Sequence, residues 1–217
     1  MTANINSLSL ALVAAVANGI STSQSLGAAG NLTITGSLAT AGVATMDVAR
    51  RVGITSAGND SALTWTITGT NRYGRVQSEV LAGTNVGTSQ SVNDYLTVSS
   101  IYGSAATAST VTAGTTTVGS SALIAIDYFA NPASIAAKLS FTGTATATIE
   151  VCMDDPGADY GFNGVPPSWS SATNFNAIST NTSGQIGGPL TAARLTVNSG
   201  TGTVKMSMVQ GFIAGGV

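Results

Sequence analysis

Leu63-Thr64-Trp65-Thr66-Ile67-Thr68 alternates a large apolar side chain with threonine at every step. In an extended strand successive side chains point to opposite faces, so this run puts Leu63, Trp65 and Ile67 on one side and a threonine ladder on the other. The same period of two recurs in both directions. Ile135, Ala137, Leu139 and Phe141 interleave with Ala136, Lys138 and Ser140; Ile149, Val151 and Met153 interleave with Thr148, Glu150 and Cys152; Val204, Met206 and Met208 interleave with Lys205 and Ser207. Such runs suit antiparallel sheets with one buried face. Between them lie turn signals built on Gly and Asn, which tolerate positive φ: Ala57-Gly58-Asn59-Asp60, Asn71-Arg72-Tyr73-Gly74, Gly83-Thr84-Asn85, Gly143-Thr144 and Asn198-Ser199-Gly200. No helical period appears after residue 20. The expected fold is all-β, an antiparallel β-sandwich of jelly-roll or immunoglobulin-like type with an N-terminal arm.

The expected organisation is an arm over residues 1–26 and a single sandwich domain over 27–217, interrupted by a long loop at about 154–189. The arm contains Leu8 to Ala17 (LSLALVAAVA) followed by Asn18-Gly19. This looks like the apolar core of a signal peptide, yet no Lys or Arg precedes it and the run is too short to cross a bilayer. It reads instead as an arm or short helix docked on a neighbour through Leu8, Leu10, Leu12, Val13 and Val16; folding back on its own sandwich is the other reading. The loop is rich in Gly, Pro, Ser and Asn and carries Tyr160, Phe162, Trp169 and Phe175. These four aromatics are expected either to cover an open end of the sandwich or to contact a neighbouring subunit.

Composition narrows the function. Of 217 residues 43% are hydrophobic, enough for a packed core, but only 7% are charged, where roughly 25% is usual. A surface of Ser, Thr, Asn and Gln is cheap to desolvate and suits lasting contact with protein. A net charge of −2 with seven scattered basic residues excludes a nucleic-acid footprint. Histidine is absent, which removes the Ser-His-Asp class of triad and most zinc sites. A Ser-Lys dyad would need Lys138 or Lys205, both on polar strand faces with no accompanying motif. Asp154, Asp155 and Asp159 could offer oxygens to a hard cation, but their spacing departs from the calcium-loop pattern, and a polar turn is the expected reading. Cys152 is alone, so no internal disulfide forms, and it reads as a small core or interface residue. No catalytic residue, cofactor or metal is expected.

Two blocks of sequence carry a resemblance. The first runs through Gly27-Ala28-Ala29-Gly30-Asn31-Leu32-Thr33-Ile34-Thr35-Gly36, Ala49-Arg50-Arg51-Val52-Gly53-Ile54-Thr55-Ser56-Ala57-Gly58-Asn59-Asp60-Ser61, Thr66-Ile67-Thr68-Gly69-Thr70-Asn71-Arg72-Tyr73-Gly74 and Glu79-Val80-Leu81-Ala82-Gly83-Thr84-Asn85. The second is Ala193-Arg194-Leu195-Thr196-Val197-Asn198-Ser199-Gly200-Thr201-Gly202. Together they resemble a group of tailed-bacteriophage virion structural proteins. The resemblance implies a non-enzymatic virion component made in the host cytoplasm. Its expected role is a capsid decoration or cement protein bridging capsid subunits. Its expected partners are itself, as a dimer or trimer, and the major capsid protein or another virion protein, with no nucleic acid and no membrane. A tail, neck or head-fibre component, or a receptor- or glycan-binding β-sandwich module, is the alternative.

Overall fold

The computed structural model describes residues 4–127, 134–154 and 167–211. These form strands and connections with no helix. In chain order the strands are β1 (Asn4–Leu10), β2 (Ser21–Gln24), β3 (Gly30–Asn31), β4 (Ala39–Thr40), β5 (Val43–Asn59), β6 (Thr64–Thr70), β7 (Val76–Ala82) and β8 (Asn85–Gly103). There follow β9 (Val111–Ser120), β10 (Ile124–Ala125), β11 (Ser134–Thr142), β12 (Ala145–Cys152), β13 (Ser170–Ser171), β14 (Thr182–Ile186), β15 (Ala192–Gly200) and β16 (Thr203–Gly211). Every recorded pairing is antiparallel, and the sheets are sandwich-like, as the alternation requires.

The chain divides into two compact units, one of Val13–Gly119 and one of Met1–Leu12 with Ser120–Val217. This departs from the single domain expected over 27–217. In the first unit the strand order is β9-β5-β8-β6-β7, with β2 on β9, β3 on β8 and β4 on β5. Trp65, Ile67, Tyr95, Val98, Ile101, Val52, Ile54 and Ile20 are all within 2% of full burial and form one continuous core. The quoted alternation therefore reads its faces correctly: Leu63, Trp65 and Ile67 point inward. Gly69, opposite Val98, lies so close to β8 that a Cβ there would be 2.0 Å from the Thr97 carbonyl oxygen.

The second unit contains a four-stranded sheet in the order β1-β16-β11-β14 and a second set of paired strands, β13-β12-β15 with β10 on β15. Ile135, Leu139, Val204 and Met206 of the former are buried, as are Ala147, Ile149, Leu195 and Val197 of the latter. Both faces of β12 are covered, since Thr148 and Cys152 are buried along with Ile149 and Val151. Met153, expected to continue that inward face, lies past the strand end and is 71% exposed.

The N-terminal arm is also corrected. Asn4–Leu10 is a strand, paired with β16 over seven residues from Asn4↔Gln210 to Leu10↔Val204. Residues after Leu12 belong to the other unit, where Val16 accepts hydrogen bonds from the amides of Gly19 and Thr115, each at 3.0 Å, and Ile20 is fully buried. Leu10 and Leu12 are buried and Leu8 and Val16 partly covered within this chain, whereas Val13 stays largely exposed. Part of the expected loop is likewise ordered strand: β14 pairs with β11 from Ile135↔Ile186 to Leu139↔Thr182, and Ile178 bridges Ala147.

Candidate assembly surfaces

The residues singled out in the sequence do not gather into one site. Leu8 is half-buried in β1 opposite Met206, while Leu10 and Leu12 are buried. Val13 is 60% exposed and Val16 half-buried. Tyr160 and Phe162, with Asp155 and Asp159, lie outside the described residues. Phe175 is fully buried, correcting its reading as a partner contact. Its carbonyl accepts from Ile149 N–H at 2.9 Å, and its ring lies over Gly184 of β14, so it fills the space between the two layers of its own unit. Trp169 is half-buried under the guanidinium of Arg194, 4.3 Å from the ring centroid. That guanidinium also donates to Glu150 at 2.7 Å, and Glu150 accepts from Thr196 at 2.7 Å.

The carboxylates are similarly engaged. Asp60 is buried and accepts from the Ser56 hydroxyl and the Ala108 amide. Glu79 takes the amides of Val92 and Asn93, at 2.7 and 3.0 Å. Asp154 accepts from Ser168 N–H at 2.7 Å. Among the described residues no three His, Cys, Asp or Glu side chains approach closely enough to hold a metal ion. Burial, with the Glu79 carboxylate adding to it, pushes the Tyr95 hydroxyl well above its ordinary range.

Sequence reasoning missed Arg50. It is one half of the Arg50-Arg51 pair, and it is fully buried. The alternation of β5 breaks there: Ala49 and Arg50 are both buried, and the register to β8 shifts between Thr45 and Arg50. This bulge turns the guanidinium toward the segment after β1. It donates to the Val13 and Thr116 carbonyls, each at 3.0 Å, and pairs with Asp47 at 3.1 Å. A register shift beside an Arg-Arg pair leaves no periodic signal by which sequence could have shown this.

What stands at the surface is a pair of sheet faces. In the first unit, the face of β6, β7 and β8 opposite the core carries Thr66, Thr68 and Thr70 beside Val76 (78% exposed), Val80 (64%) and Tyr102 (43%). No charged residue stands in these rows. In the second unit the outer face of the four-stranded sheet has three rungs. One runs Ile5–Val209–Ala136–Gln185, the next Ser7–Ser207–Lys138–Ser183, and the third Ser9–Lys205–Ser140. A shallow groove of about 440 Å³ lies over the first two.

Neither family models, nor curated proteins, nor solved structures match this chain.

Proposed function

We propose that this chain is a non-enzymatic structural protein of a tailed-phage virion, working by packing against copies of itself and other virion proteins, with decoration of the capsid as its specific role. The observation that carries the reading is the neutral face of β6, β7 and β8. Thr66, Thr68 and Thr70 cost little to desolvate, and Val76, Val80 and Tyr102 gain from leaving water. Seven per cent charge leaves little like-charge repulsion to hold copies apart. The resemblance of residues 27–85 and 193–202 to virion proteins supports the location. Use of the carboxylates as acceptors for the chain's own amides and hydroxyls supports the absence of catalysis. A glycan-binding role is disfavoured, because one face of Trp169 is taken by Arg194.

Light scattering of the purified chain at micromolar concentration should give a dimer or trimer, and the chain should co-sediment with capsids that lack it. Recovery with isolated tails instead would move the role to the tail or neck. A strictly monomeric mass together with no binding to either particle part refutes the assembly reading.

A further inference from the structure

Both lysines of the chain stand on one surface. Lys138 of β11 and Lys205 of β16 project from the outer face of the four-stranded sheet, on neighbouring strands and one rung apart, since Lys138 lies opposite Ser207 and Lys205 opposite Ser140. Diagonal neighbours of this kind have Cα atoms roughly 7–8 Å apart. No acidic residue occurs in the three rungs, and neither lysine has an ion-pair partner among the described residues. Several other charged side chains are engaged, Arg50 with Asp47, Arg194 with Glu150 and Glu79 with backbone amides. The two lysine ammonium groups, side by side on an exposed face, contrast with these internally paired charges.

We infer that this face is a docking surface for a carboxylate-bearing segment of a partner protein, laid over the groove beside the lysines. Charge complementarity sets the sign of the partner. The chemistry around the lysines sets its class. The adjoining rung is apolar, with Ile5 68% exposed next to Val209 and Ala136, and small residues, Ala136, Ala137 and Gly184, line the groove. A protein segment offers apolar side chains to that rung together with carboxylates for the ammonium groups. Nucleic acid would instead call for clustered arginines and more positive charge than two lysines provide. The inference deepens the assembly reading by naming one surface and the chemistry of what it meets.

The test uses the full chain, isotope-labelled, titrated with a synthetic decapeptide alternating Glu and Ala, and in parallel with inorganic phosphate and a short DNA duplex. Peptide should shift the amide resonances of residues 5, 136, 138, 205, 207 and 209, with affinity falling about tenfold or more between about 20 and about 300 mM salt as the charges are screened. Lys138→Glu with Lys205→Glu should abolish the shifts while leaving the thermal midpoint near that of the parent, because both side chains are exposed. The pair Lys138→Arg and Lys205→Arg should retain them. Absence of shifts on this face, binding that survives the double reversal, or equal response to phosphate or DNA overturns the proposal. If it falls while the chain still assembles on particles, the surface is misassigned and the assembly reading stands.

Discussion

Replacing Arg50 with methionine tests whether a buried cation holds the start of the Val13–Gly119 unit in place. Methionine keeps much of the side-chain volume, so the cavity term is small and the loss reports on hydrogen bonds. Two effects compete. Removing a buried charge recovers its desolvation cost, and buried ion pairs exchanged for hydrophobic residues are sometimes neutral or stabilising. Here the acceptors left behind are mainly backbone carbonyls, those of Val13 and Thr116, which cannot be exchanged with the arginine. Each orphaned buried acceptor costs about 1–3 kcal/mol. The Asp47 partner is 30% exposed and can turn to water, so it adds little. The expected loss is about 3 kcal/mol, which for a chain of this length lowers the thermal midpoint by about 6–12 °C. Calorimetry reads the total, and amide hydrogen exchange should show protection lost first around residues 13–16 and 115–118. Arg50→Lys should fall between, since a single ammonium cannot span both carbonyls and Asp47. A methionine variant melting within about 2 °C of the parent, with exchange unchanged at those amides, refutes the argument.

Gly114→Val should destabilise by about 2–3 kcal/mol, because a Cβ there would sit 2.0 Å from the Val16 carbonyl oxygen; unchanged melting would show that residues 16–17 do not lie against β9. Burial raises the Tyr95 hydroxyl in the folded state, so stability is complete below the unfolded value of about 10 and falls as pH rises above it. Melting scans should show that alkaline loss reduced in Tyr95→Phe, and an identical pH profile in both proteins would count against it. Removing residues 1–12 should strip β1 from β16 and abolish cooperative unfolding of that unit, as read by near-ultraviolet circular dichroism; a truncated chain that melts like the parent would restore the free-arm reading.

Sequence showed the fold where a strand has one wet face. Leu63-Trp65-Ile67, Ile135-Ala137-Leu139 and Val204-Met206-Met208 each declare an inner side, and each is buried as expected. It was silent where that condition fails. Ala11 to Ala17 is nearly all apolar, so it has no period and did not reveal that a strand ends at Leu10 before the chain passes into another unit. Thr182-Ser183-Gly184-Gln185-Ile186 has turn-like composition yet forms β14, because pairing with β11 outweighs its weak strand propensity. Ala57-Gly58-Asn59 read as a turn but ends the long β5, with the turn following at Asp60. Phe175 in a Gly- and Asn-rich stretch fitted a contact or a plug equally well until its neighbours were known. Lys138 and Lys205 each read correctly as solvated, but their adjacency is a property of strand order, which no local period carries.

The division of labour between the two outer faces leads to a last expectation. The chain's charges largely close its own loops and bulges: Asp60 holds Ser56 and Ala108, Glu79 ties β7 to β8, Arg50 ties Val13 to Thr116. Contact through the β6–β7–β8 face would therefore be made by threonine hydroxyls and the apolar groups of Val76, Val80 and Tyr102, with no net Coulomb term. Contact through the Lys138–Lys205 face would be dominated by one. Salt separates them, because screening weakens only the second. Self-association measured by sedimentation should change by less than about twofold between about 20 and about 300 mM salt, and Val76→Lys with Val80→Lys should abolish it by placing repelling, strongly hydrated charges on the neutral face. If self-association instead collapses with salt and survives those two substitutions, copies meet through a charged surface and the neutral face has been assigned the wrong role.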